Sequence, residues 1–171
     1  MTTAHLVRRF FGSLRPGGPP AADEAWAQDQ LQEGERRLWV QLSGADRRHA
    51  VGVARRTADT LGSAADRTIL AAALLHDVGK LTSHLGTYGR VVATLAAKVA
   101  GRDMARAWSD GRGFTRRVGL YLRHDELGGE MLRVAGSAPL TASWAAEHHL
   151  GPEDWTVPAA IGAALKAADD D

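Results

Sequence analysis

Apolar residues recur at three- and four-residue intervals along most of the chain, the spacing that places them on one face of an α-helix. No stretch alternates with a period of two, as a half-buried strand would, so the pattern predicts an all-α fold. A shorter helical piece is expected between 101 and 113. The longer predicted helices cover 23–42, 43–61, 64–78, 86–100, 114–124, 127–135, 140–149 and 158–168.

Glycine and proline divide the chain near its start. The stretch RPGGPPAA, residues 15–22, holds too much of both to occupy a helix interior. We therefore predict that residues 1–22 form an N-terminal segment with a Pro/Gly linker, and that residues 23–171 form one compact helical domain. Asp23 is the expected cap of the first helix, and Gly34 is a possible break in it.

The segment before the linker combines basic and apolar residues. Its apolar positions have the spacing of a short amphipathic helix and lie beside several arginines. Packing of this helix on its own domain is the favoured interpretation, and contact with a membrane surface is the alternative. The apolar positions are Leu6, Phe10, Phe11 and Leu14.

Composition limits the classes of function. Lysine and arginine (21) nearly cancel aspartate and glutamate (20), so no overall field favours extended nucleic acid. The longest apolar run, Ile69 to Leu75, is far shorter than the roughly 20 residues that span a bilayer. The chain has no cysteine, which excludes disulfides and thiolate ligands and leaves His, Asp and Glu to hold metals. We expect a cytoplasmic protein without a transmembrane segment.

The main candidate for chemistry is the His76-Asp77 pair in LLHDVGK, at the end of a strongly apolar helix. Imidazole nitrogen and carboxylate oxygen together suit divalent cations such as Mn, Fe, Mg, Co or Zn. The alternative interpretation is a solvated helix end with His76 near the negative end of the helix dipole. Further histidines in or beside predicted helices favour the metal site: His49, His124, His148 and His149.

The order of these residues, with a late aspartate in ALKAADDD, resembles the signature of the HD superfamily of metal-dependent phosphohydrolases. The resemblance runs over 49–169 and implies a helical HD-domain bundle. It implies one metal held by His49, His76, Asp77 and Asp169. The segment LRHDELGGEML and the histidine pair resemble the two-metal subgroup, which implies that Asp77 bridges to a second metal held by His124, His148 and His149.

The chain departs from the HD-GYP branch of that superfamily. Asp125 stands where the branch has a second histidine, and the GYP tripeptide is missing. Ala45 stands four residues before His49, where the branch can supply a glutamate ligand. These departures argue against cyclic di-GMP as substrate and against a third metal.

The resemblance implies hydrolysis of a phosphomonoester or phosphodiester of a small molecule, favouring a nucleotide, with one or two ions and with Asp77 and Lys80 as catalytic residues. Lys80 is expected to bind and neutralise a phosphate oxygen, with Arg123 as a second candidate. The alternative for Lys80 is a cation that complements the helix dipole. Two other functions stay open: a non-catalytic signalling module and a di-iron oxygenase. The sequence does not define the oligomeric state.

Overall fold

The computed structural model describes residues 17–86, 89, 92, 93, 96 and 102–170. These residues form helices and short 3₁₀ turns and contain no strand, so the all-α prediction is confirmed. The 3₁₀ turns are Gly62–Ala64, Val78–Ser83 and Pro152–Asp154. The α-helices are α1 (Ala21–Gln30), α2 (Glu33–Trp39), α3 (Gly44–Leu61), α4 (Arg67–Leu75), α5 (Arg102–Ser109), α6 (Gly113–Leu122), α7 (His124–Val134), α8 (Pro139–Glu147) and α9 (Ala159–Asp170).

Helix α4 is the centre of the main core. Its N-terminus is capped by the Asp66 side chain, which accepts a hydrogen bond from Ile69 N at 2.9 Å. Every residue from Ile69 to Leu75 is buried, and α3 and α8 pack against this helix. Burying a large apolar side chain contributes about 1.5–3 kcal/mol, so the helix is held firmly in place. Its C-terminal end is consequently a rigid position for a functional side chain.

Helices α5 and α6 form a hairpin with a separate small core. Leu85, Ala93 and Val118 are buried there, with Trp108 and Tyr121 packed against them. Helix α6 also packs on the 3₁₀ turn Val78–Ser83. The hairpin therefore borders the turn that follows the His76-Asp77 pair.

Two predicted helix ends differ from the structure. Helix α1 begins at Ala21, after Pro20, rather than at Asp23. Asp23 does not cap the helix, because its carboxylate accepts from Arg55 Nη2 on α3 at 2.9 Å. The helix expected over 23–42 is also interrupted earlier than Gly34, because α2 begins with a capping box between Gln32 and Glu35.

Gly34 lies inside α2, at a position where this helix packs tightly against the end of α7. A Cβ atom at this position would lie 2.0 Å from the Ala135 carbonyl oxygen, which only glycine avoids. The glycine therefore allows α2 to approach the end of α7 and does not end a helix.

Two expectations fall largely outside the described residues. The amphipathic helix through Leu6 and Leu14 lies there entirely. Of the helix expected over 86–100, only residues 86, 89, 92, 93 and 96 are described, and all of these except Gly86 are helical. Among the described helices, none has the length and apolar character needed to cross a membrane.

Candidate metal centre

The predicted site residues lie mostly where helices begin or end. His76 and Asp77 directly follow α4, and His124 is the first residue of α7. The histidine pair follows the last residue of α8, and Asp169 is the last residue but one of α9. His49 lies early in α3. Side chains from separate helices can therefore converge on one point although neighbours on a single helix face different directions.

The first group of side chains joins α3, α4 and α9. His49 Nε2 lies 3.0 Å from Asp169 Oδ1, and His76 Nε2 lies 3.5 Å from the same oxygen. His76 Nε2 also lies 3.5 Å from Asp77 Oδ2. One ligand atom each from His49, His76 and Asp77 lies within 4.8 Å of the others, a spacing that can surround an ion.

The second group joins α7 and the end of α8. His124 Nε2 lies 3.3 Å from Asp77 Oδ1, and His148 Nε2 lies 3.7 Å from it. His149 Nε2 lies 3.2 Å from His124 Nε2. Ligand atoms of these three histidines are also within 4.8 Å of one another. Asp77 therefore faces one histidine group with Oδ1 and the other with Oδ2.

Three of the histidines are held in the same way by the backbone. The Nδ1 atoms of His76, His124 and His148 lie 2.9, 2.7 and 2.9 Å from the carbonyl oxygen three residues earlier. A carbonyl oxygen only accepts, so Nδ1 carries the proton and Nε2 keeps its lone pair. The backbone contacts thus direct the Nε2 atoms of His76, His124 and His148 towards Asp77.

Two of these nitrogens form no hydrogen bond with the described residues. Nε2 of His76 and Nε2 of His148 are buried without a hydrogen bond to any described residue. A buried polar atom left unsatisfied costs about 1–3 kcal/mol, and such atoms are rare in folded proteins. A divalent cation would satisfy both, and the donor set of imidazole nitrogen and carboxylate oxygen suits such ions. The residues present therefore fit one or two metals.

Charge within the cluster supports an ionised carboxylate. Burial would raise the pKa of Asp77, but Lys80 and His76 outweigh burial and hold that pKa well below its ordinary range. Burial would lower the pKa of His76, whereas the carboxylates of Asp77 and Asp169 raise it on balance. For His148 burial prevails and its pKa is lowered, which favours the neutral ring that a metal requires.

Two close contacts hold the helices of the site together. A Cβ atom on Gly79 would lie 1.9 Å from the His124 carbonyl oxygen and 2.6 Å from Gly128 N, so only glycine permits this approach of α7. On the other side, Arg56 Nε donates to the Ala168 carbonyl oxygen at 2.9 Å. This bond ties α3, which carries His49, to the end of α9.

The two predicted phosphate-binding residues differ in their surroundings. Lys80 Nζ donates to Asp77 Oδ2, and both side chains are nearly buried. Arg123 Nε donates to Glu126 Oε2 at 3.1 Å and Nη1 donates to Ser109 Oγ at 2.8 Å. Lys80 is thus at the cluster, whereas the described partners of Arg123 belong to the junction of α5 and α7.

One buried acid beside the cluster was missed from the sequence. Glu147 directly precedes the histidine pair and is buried. Its only signal in the sequence is an ionisable residue among the apolar positions of the predicted helix 140–149. Its partners lie several residues further along the chain, where sequence spacing gives no warning.

Comparison with known proteins identifies the family. The HD domain family model matches residues 48–170, which is most of the chain. The chain belongs to the HD domain family, and the expected superfamily membership is confirmed. No curated protein and no solved structure shows significant similarity to it. Membership places the chain in a superfamily of metal-dependent phosphohydrolases, some members of which are not catalytic.

Proposed function

We propose that the chain is a metal-dependent phosphohydrolase that cleaves a phosphomonoester or phosphodiester of a small molecule, with a nucleotide as the favoured class. The observation that carries this proposal is the position of Asp77. Its two carboxylate oxygens face separate histidine groups, as expected of a carboxylate that bridges two ions. A formal net charge of only +1 agrees with a small substrate rather than extended nucleic acid.

The proposed ligands form two sets that share Asp77. The buried, unsatisfied nitrogens of His76 and His148 fall in different sets, which supports two ions rather than one. The first set is His49, His76, Asp77 and Asp169. The second set is Asp77, His124, His148 and His149.

Divalent ions in these positions would activate water for attack on phosphorus and polarise a phosphoryl oxygen. The protein itself would supply orientation and charge. Asp77 fixes the separation of the two ligand sets, and the backbone carbonyls behind the histidines fix the ring orientations. No nucleophilic side chain is required.

Lys80 is proposed to recognise the phosphate. Its ammonium group contacts Asp77, so a phosphate oxygen bound beside Asp77 would accept a charge-assisted hydrogen bond from it. Arg123 is proposed as the second cation. Glu126 and Ser109 hold its Nε and Nη1 atoms, which orients the guanidinium while Nη2 can donate to the substrate.

A substrate screen tests the proposal. Purified protein is loaded separately with Mn, Mg, Co or Fe and incubated with nucleoside phosphates, cyclic nucleotides, cyclic dinucleotides and p-nitrophenyl phosphate esters. The expected result is metal-dependent release of phosphate or cleavage of a diester, absent from the Asp77→Asn variant. Turnover that persists in Asp77→Asn, or in the presence of excess chelator, would contradict it.

The two alternative functions give different results in the same experiment. A non-catalytic signalling module would show no turnover with any metal or substrate. A di-iron oxygenase would contain two iron ions by elemental analysis and would consume oxygen without releasing phosphate. Metal content and oxygen uptake therefore separate the three functions.

A further inference from the structure

Glu147 is a buried carboxylate that the proposed chemistry does not use. It is the last residue of α8, and 8% of its surface is exposed. Oε2 accepts hydrogen bonds from the backbone nitrogens of Thr156 at 2.7 Å and Val157 at 3.4 Å. Oε1 accepts from the Thr156 hydroxyl at 2.5 Å. A buried charge is tolerated when it has such hydrogen-bond partners. The same hydrogen bonds restrict where the carboxylate can lie.

These hydrogen bonds close a loop that contains part of the candidate site. The chain leaves α8 after Glu147, continues with His148 and His149, and returns at Thr156, shortly before α9. Within the loop, Leu150 N donates to the Glu147 carbonyl oxygen at 2.7 Å. The side chain and backbone of Glu147 therefore both fix the turn that presents the two histidines.

The loop also connects the two ligand sets. His148 Nε2 faces Asp77 Oδ1 at 3.7 Å, and α9 beyond the loop carries Asp169, which contacts His49. The loop itself carries His148 and His149 of the second set, whereas Asp169 lies at the far end of α9, so a change in the loop acts first on the second set. The Glu147 side chain bonds directly from α8 to the segment before α9.

We propose that Glu147 is a positioning residue that sets the places of His148 and His149 relative to Asp77. The proposal rests on the proposed function, since the two histidines are taken to hold the second ion. Glu147 does not touch that ion. It acts through the loop it closes, in the way that outer groups orient metal ligands in other proteins.

Three variants separate positioning from simple stabilisation. Glu147→Ala removes all three hydrogen bonds. Glu147→Gln keeps a carbonyl oxygen for the two backbone nitrogens, and its amide can donate to the Thr156 hydroxyl, which can donate in turn to Ser143 Oγ, 3.2 Å away. Glu35→Ala is the matched control, because Glu35 is also buried and accepts a backbone hydrogen bond, but lies on α2, which carries no site residue.

The first readout is Zn²⁺ binding by isothermal titration calorimetry below the unfolding temperature. Glu147→Ala should weaken one of two binding events by about 10- to 100-fold and leave the other within about threefold, the range seen when an outer partner of a metal ligand is removed. Glu147→Gln should restore most of the affinity. Glu35→Ala should lower the melting temperature without changing either binding event. Equal Zn²⁺ affinities in wild type and Glu147→Ala would overturn the proposal.

The second readout is the imidazole ¹⁵N–¹H spectrum of the zinc-free protein. In Glu147→Ala the signals of His148 and His149 should shift, whereas those of His49 should stay in place. Unchanged signals for the pair would overturn the positioning role. If the wild type takes up none of Zn²⁺, Mn²⁺, Mg²⁺, Co²⁺ and Fe²⁺, the proposed function fails, and this spectrum still decides whether Glu147 positions the histidines.

If the circular dichroism spectrum of Glu147→Ala shows that this variant does not fold, Thr156→Val is measured in its place. Thr156→Val removes the hydroxyl contacts with Glu147 and Ser143, leaves the backbone hydrogen bonds to Glu147 and keeps the side-chain shape. It should shift the signals of His148 and His149 in the same direction by a smaller amount. Signals identical to those of the wild type in this variant would contradict the proposal.

Discussion

Gly79→Ala is the substitution with the most direct effect on the geometry of the site. The new Cβ would lie 1.9 Å from the His124 carbonyl oxygen and 2.6 Å from Gly128 N, both backbone atoms that cannot rotate away. Opening the shorter contact to an ordinary 3.4 Å requires a displacement of about 1.5 Å between the 3₁₀ turn and α7. The His124 ring would move with its backbone, away from Asp77, 3.3 Å distant in the native protein.

Two magnitudes follow from this displacement. Overpacking a tight contact costs about 1–3 kcal/mol, which for a domain of this size lowers the melting temperature by roughly 3–10 °C. A misplacement of about 1 Å in a catalytic constellation can lower turnover by about 100-fold. We therefore expect Gly79→Ala to remain folded at 20 °C but to lose about 100-fold in turnover and to bind the second ion weakly.

The assay combines thermal unfolding, metal stoichiometry and turnover on the substrate identified in the screen. Gly86→Ala is the matched control, because a Cβ there meets no atom of the described residues within 4 Å. The control should match the wild type in all three measurements. Wild-type stability, stoichiometry and turnover in Gly79→Ala would refute the close packing of α7 and the argument built on it.

Four further substitutions test individual ligands and the phosphate contact. Asp77→Ala should remove activity and bound metal and leave the helical circular dichroism spectrum intact; loss of the fold would show that Asp77 is structural. His124→Ala and His148→Ala should each lower metal content from about two ions towards one, and unchanged content in both would limit the site to one ion. Lys80→Ala should lower kcat/KM by roughly 10- to 100-fold, as loss of one charge-assisted hydrogen bond of about 1.5–3 kcal/mol does, with metal content unchanged; full activity would make Lys80 a helix-end cation.

The helical fold follows from the sequence because its cause is local. The spacing of apolar residues predicts helices over 43–61 and 64–78, which overlap α3 and α4. The cap of α3 is also local, since Ser43 accepts from Asp46 N, three residues away, at 3.1 Å. Helix ends that depend on distant partners are predicted less accurately from the sequence. Asp23 pairs with Arg55 instead of capping α1, and nothing in the neighbouring sequence announces that pair.

The candidate site also combines features that the sequence predicts with features that depend on distant parts of the chain. The proposed ligands come from the resemblance of the residue order to the HD superfamily, and the absence of cysteine limits the alternatives, because few other side chains bind metals. Their arrangement depends on packing between helices far apart in the chain: His49 meets Asp169 across 120 residues. Gly79 shows what the sequence does not predict, since its contact with α7 appears only in three dimensions.

Anomalous diffraction from a crystal of the Mn²⁺-loaded protein tests the central claim most directly. We predict two peaks about 3.5–4 Å apart, with Asp77 between them. One peak should lie beside His49, His76 and Asp169, and the other beside His124 and His148. A map without a peak at Asp77 in protein shown to contain manganese would contradict the account.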